Sequence, residues 1–263
     1  MVSNLALPGW AVFEREVRRF FAVPVQTIAG PIGSSLLYFI IFHFSIGKLA
    51  AETGRTQISH GLNYVSFLIP GIMAMEVITA SFQNPVSSLM ISKWSGTIAD
   101  QLMAPLSPFA TWLAYIGGSL VRSLIVATSA YIAGSLFSGE FHLMHPFLFL
   151  LAVTLTTAIF SGLGILAGVV CRSFDQIGMI GTFVIQPLVF LGGVFFSFQN
   201  LPENLNWLPF VNPIFYIVNM FRQSILGVGD TGLLMSFSIS ALFAAAMGCA
   251  ALVVLRRGIG MRT

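Results

Sequence analysis

Charge is what this sequence has least of. Its 263 residues hold 12 Lys and Arg against 9 Asp and Glu, 8% in all, where a soluble domain carries ~25%. So thin a polar surface excludes an ordinary water-soluble domain, and no nucleic acid partner is expected. Cysteine is almost as scarce. Cys171 and Cys249 are the only two and both lie at or inside apolar runs, so neither a disulfide framework nor a CxxC metal site is available. No GxxxxGK[ST] phosphate loop exists, because Gly47-Lys48 is followed by Leu49. His142 and His145 have metal-pair spacing without a nearby third ligand, and no metal site is expected. The polar, arginine-rich start lacks the apolar core and small-residue cleavage site of a signal peptide, leaving the first span as the targeting signal.

Hydrophobic residues make up 56% of the chain. A helix needs ~20 mostly apolar residues to cross a bilayer, and backbone groups in lipid must be bonded internally. The runs here are too long and too uniformly apolar for the in/out alternation of barrel strands. The sequence therefore predicts an all-α polytopic membrane protein, one domain over 1–263, with six spans near 29–48, 64–83, 109–137, 143–171, 176–196 and 233–255. An even count brings both termini to one side. With the N-terminus inside, Arg15, Arg18, Arg19, Lys93, Arg172, Arg256, Arg257 and Arg262 face Lys48, Arg55 and Arg222 across the membrane, a positive-inside bias that makes both termini and Ser92 to Pro108 cytoplasmic.

Residues 8–24 read as an amphipathic helix in the membrane interface: Trp10, Phe13, Val17, Phe20 and Phe21 fall on one face, Glu14, Arg15, Arg18 and Arg19 on the other. In the segment 95–106, Ser95 is a helix-capping residue and two prolines close the stretch. Ile98, Leu102 and Met103 then share a face, with Thr97, Asp100 and Gln101 more exposed. Such a short helix is either a lever for a partner's groove or a loop resting on the membrane.

Glu76 and Arg122 are acid and base inside spans, and intramembrane charges are usually paired or face water. Adjacent antiparallel helices would let them meet, as a structural pair or around a substrate. Residues 194–228 hold Asn200, Pro202, Pro209, Asn212 and Pro213, breaks that membrane depth tolerates only where protein or water covers the backbone. We read this stretch as an outer re-entrant helical pair, with Phe195, Phe196, Phe198, Phe215 and Tyr216 capping an exit or forming an interfacial aromatic belt. Gly164-x-x-x-Gly168 permits close helix packing.

The segment Gly96-Thr97-Ile98, then Leu102 and Ala104-Pro105-Leu106-Ser107, resembles the GT-(L/I)-x-x-L-x-x-(S/T/A)-P-L-S signature of ABC-2-type transport permeases. "PLVFLGGVFFSFQNLP" (Pro187 to Pro202) and "LPFVNPIFYIVNMFRQSILG" (Leu208 to Gly227) are similar to the family's pattern around its fifth span. Ser197 departs from it where many relatives carry Pro. The resemblance implies an interfacial elbow helix at 8–24. It implies that Gly96, Thr97, Ile98, Asp100, Gln101, Leu102 and Met103 form a coupling helix docking on a separate ATP-binding subunit, which holds ATP and Mg. It also implies a homodimer in the bacterial inner membrane, surrounded by lipid, exporting a hydrophobic or amphipathic substrate, with no catalytic residue in this chain. Drug, lipid, oligosaccharide and polysaccharide exporters share this architecture. The alternatives are a channel or secondary transporter without an ATPase, for which only Glu76, Gln83, Arg122 and Gln186 would serve as intramembrane polar groups, and a membrane-embedded enzyme, for which no catalytic constellation gathers.

Overall fold

A computed structural model describes residues 6–52, 64–98, 103, 106–139, 143–196 and 207–258. All regular structure among them is helical: α1 (Ala6–Ala22), α2 (Gly30–Glu52), α3 (Tyr64–Trp94), α4 (Pro108–Ser138), α5 (Pro146–Val170), α6 (Phe174–Ile180), α7 (Gln186–Phe190), α8 (Leu208–Val211), α9 (Pro213–Leu226) and α10 (Leu233–Arg257). Wide π turns at Val25–Ala29 and Gly181–Ile185 lead into α2 and α7. Each stands just ahead of a proline, Pro31 and Pro187, whose missing N–H breaks the regular ladder.

Helix ends follow from local chemistry. The Ser107 hydroxyl accepts from the Ala110 N–H at 3.1 Å with Pro108 in the first turn, and Gly139 closes α4 at φ 72°, a left-handed position that only glycine adopts without cost. The Asn212 side chain accepts from the Ile214 N–H at 3.0 Å to start α9. At the end of α5, Lys93 donates to the carbonyls of Val169 (2.6 Å) and Cys171 (3.2 Å), a cation on the negative end of a helix.

Almost wholly buried, α3 is the central post. Against it lies α5, whose Gly164 and Gly168 admit the backbone and side chains of Phe82, Pro85, Val86 and Leu89 so closely that added Cβ atoms would collide. The glycine pair is thus an internal packing seam. Pro85 cannot donate to the Ser81 carbonyl one turn earlier; Ser161 of α5 donates to that oxygen instead, at 3.4 Å.

Two expectations change here. Among the described residues five segments are long and apolar enough to cross a membrane, Val25–Ser45, Tyr64–Trp94, Pro108–Ser138, Pro146–Val170 and Leu233–Arg257; the expected fifth span, 176–196, falls on a shorter apolar stretch, Phe174–Phe190, interrupted by a π turn. The second helix does not end near 83 but continues to Trp94, because Asn84, Ser88 and Ser92 are buried there against other helices.

Candidate functional site

Three polar layers cross the bundle. The first fixes α1. Contacts of Gly9 with Ala110, Phe13 with Gly117 and Glu16 with Gly118 advance in step along both helices, so α1 runs beside α4. Its inward stripe is Val12, Glu16 and Phe20, all buried, while Trp10 and Phe21 are exposed. The expected division, aromatics on one face and charges on the other, is therefore rotated. Glu16 is 0% exposed. It accepts from Arg15 (3.0 Å), Arg19 (3.2 Å) and the Ser88 hydroxyl (2.6 Å). Arg19 also donates to Ser87 (2.8 Å) and to the Asn84 carbonyl (2.6 Å), and Asn84 donates to Ser119 (3.3 Å). On the exposed side Glu14 pairs with Arg18.

In the second layer, the Ser81 hydroxyl lies 2.8 Å from that of Ser123 and donates to Thr157 at 3.2 Å, joining α3, α4 and α5 with buried hydroxyls. Ser81 opposite Ser123 and Asn84 opposite Ser119 set the antiparallel register of α3 and α4. That register puts Arg122 level with Phe82, ~9 Å along the axis from Glu76. Among the described residues no ion pair joins them: Glu76 is beside Ser35 of α2 and Arg122 is within electrostatic range of Arg19. The Ser35 hydroxyl makes no hydrogen bond there. Because α3 runs on to Trp94, Glu76 is nearer the Tyr64 end of its helix than the end carrying Lys93. Gln83 and Gln186 are exposed on the surface of the chain.

The third layer is at the other end of the bundle. Arg222 of α9 is 2% exposed and pairs with Asp230 at 3.2 Å; it also donates to the Gly193 carbonyl and stacks 3.9 Å from the Phe67 ring centroid. The Asn219 side chain accepts from the Asp230 N–H at 2.8 Å, and Gln223 donates to the Thr231 carbonyl. Gly193 itself sits at φ 82°. This knot binds the break after α7, the short helix α9 and the start of α10. Phe195 packs on Phe42 (5.0 Å) and Phe190 (5.4 Å), Phe196 packs against the buried pair Phe215 and Tyr216, and Phe210 is 5.9 Å from Phe215. Phe198 and the rest of 197–206 lie outside the described residues.

Between α3 and α4 the backbone turns at Ser95 to Thr97, with Gly96 at φ 74° and the Ser95 and Thr97 hydroxyls 2.9 Å apart. Ser95 follows directly on the end of α3, its N–H donating to the Ile91 carbonyl at 2.9 Å. Ile98 is 7% exposed, packed with Leu89, Tyr115, Ile165, Val169 and Ala251, whereas Met103 is 77% exposed. Of the face expected of Ile98, Leu102 and Met103, the two described members are divided between interior and surface. Asp100, Gln101 and Leu102 lie outside the described residues. Nearby, just past the end of α5, burial holds the Cys171 thiol above its ordinary value, with Lys93 acting the other way.

Sequence reasoning passed over Glu16, Asn84, Ser88, Ser119 and Asp230. Glu16 was detectable: with Val12 and Phe20 it recurs every fourth residue, a stripe a single acid does not disqualify.

The sequence has counterparts among known proteins. Residues 9–226 match the family model described as ABC-2 type transporter. The chain belongs to that family. It is 35% identical over 254 residues, covering 96% of both chains, to the Inner membrane transport permease YadH of Escherichia coli K12. It is 32% identical over 237 residues to the Probable multidrug ABC transporter permease YbhR of the same organism, covering 81% of this chain and 62% of the relative. Nodulation protein J of Rhizobium meliloti is 24% identical over 241 residues, covering 86% and 85%. This ABC-2 type chain is accordingly a multi-pass membrane protein and a transport permease subunit.

Proposed function

We propose that this chain is the membrane half of an exporter in a bacterial inner membrane, working as a homodimer with a separate ATP-binding subunit that holds ATP and Mg. Both termini and the turn between α3 and α4 face the cytoplasm, with the shorter apolar stretch Phe174–Phe190 serving as the sixth crossing. Closure of the nucleotide-bound ATPase pushes that turn, and a hydrophobic or amphipathic substrate leaves past the aromatic cap formed by Phe195, Phe196, Phe215 and Tyr216. The observation that carries this reading is the division at the turn: Ile98 is anchored in the bundle while Trp94 and Met103 project. A lever needs one end fixed and one end free. No observation specifically favours an ATPase-independent channel or carrier.

The test is reconstitution with the ATP-binding subunit that co-purifies from native membranes. Met103→Ala with Trp94→Ala should leave unfolding within about 0.5 kcal/mol of wild type, as for exposed sites, and abolish substrate-stimulated hydrolysis. Ile98→Ala should cost about 2–4 kcal/mol of stability. Full coupling in the Met103/Trp94 double variant would refute the lever.

A further inference from the structure

Among the described residues Arg122 is a cation without a counterion. It is 5% exposed, its Nε is buried with no partner, and among the described residues it takes part in no ion pair or hydrogen bond. Its charged neighbour is Arg19, another cation. The acid of this layer, Glu16, is already shared: one oxygen accepts from Arg15 and Ser88, the other from Arg19. Arg19 too has a buried Nε with no partner. Arg15 and Arg19 thus already share the one carboxylate of this layer, and Glu76 is ~9 Å further along the bundle.

Depth narrows the class of anion that would suit Arg122. The Phe42 and Tyr64 rings lie 6.2 Å apart and Ser35 is beside Glu76, so α2 runs antiparallel to α3. Following α2 back from Ser35 to Val25, where the first candidate span starts, covers ~15 Å. Arg122, ~9 Å from Glu76 in the same direction, therefore lies within ~6 Å of that starting level. It does so although it is near the middle of α4, because α3 and α4, at 31 residues each, are longer than the ~30 Å hydrocarbon and extend past it. At that level the anions at hand are lipid headgroups, and guanidinium matches phosphate geometry. The geometry points to an anion site at Arg122, beneath the α1–α2 elbow, filled by the phosphate of an anionic lipid headgroup from the leaflet on the α1 side. Arg19 lines it. Binding there fixes lipid where α1 meets the first span, whatever the transporter carries.

The experiment uses the purified full chain in uncharged detergent, its thermal midpoint followed while phosphatidylglycerol, phosphatidylcholine or inorganic phosphate is added. Phosphatidylglycerol should half-saturate at least tenfold below phosphatidylcholine. Arg122→Gln should reduce that preference below threefold, Arg122→Lys should keep most of it, and Arg18→Gln, which alters only the exposed pair, should keep all of it. The lipid-free midpoint of Arg122→Gln should equal or exceed that of wild type, because an uncompensated charge has been removed. An unchanged preference in Arg122→Gln, or a lower lipid-free midpoint, overturns the site. Equal protection by inorganic phosphate overturns the lipid as its source.

Discussion

Glu16→Gln is the sharpest test of how α1 is held. Glu16 accepts three hydrogen bonds, two from guanidinium groups and one from Ser88, and removing one partner of a buried ion pair typically costs ~3–5 kcal/mol. The surroundings decide where in that range it falls. Arg19 keeps Ser87 and the Asn84 carbonyl as acceptors, and Arg15 is partly exposed and can turn to water. The expected loss is therefore near the lower end, about 3 kcal/mol. The matched control is Glu14→Gln, which removes an i,i+4 pair exposed on both sides and should cost no more than about 0.5 kcal/mol. Reversible unfolding in mixed detergent micelles measures both. A loss for Glu16→Gln within about 0.5 kcal/mol of the control would mean that the layer contributes nothing to α1 docking, and the account of the N-terminal helix would fail.

Gly164→Leu should destabilise by about 1–3 kcal/mol through overpacking against Phe82 and Pro85, whereas Gly33→Ala, with nothing near its Cβ position, should be neutral in the same assay. In a background without Cys171 and Cys249, Ser59→Cys and Asn200→Cys should react with an impermeant thiol reagent applied outside intact cells and Ser95→Cys should not; the opposite pattern would invert the proposed orientation.

The parts of the fold legible in the sequence were those governed by one-dimensional pattern. Long apolar runs without the alternation of barrel strands are helices in lipid, so class and most spans followed, and a glycine pair four residues apart permits the close packing that α3 and α5 make there. What stayed hidden depends on register. Whether Glu76 meets Arg122 turns on which residues of α3 and α4 are level, and that is set by Ser81 against Ser123 and Asn84 against Ser119. The extent of α3 was missed because Asn84, Ser88 and Ser92 look like the polar end of a span until their partners on neighbouring elements are known. Ile98 and Met103 share a helical face on paper; the interior claims one of them.

The Arg222 knot also bears on synthesis. Its acceptor Gly193 and the ring of Phe67 both precede Arg222 in the chain, while Asp230 follows it by eight residues. As the polypeptide emerges, the carbonyl and aromatic surface that receive the guanidinium have already been made. The neutralising carboxylate arrives less than three helical turns later. The hairpin of α9 and the start of α10 can thus enter the membrane carrying its own counterion, without waiting for the C-terminal helix to be completed.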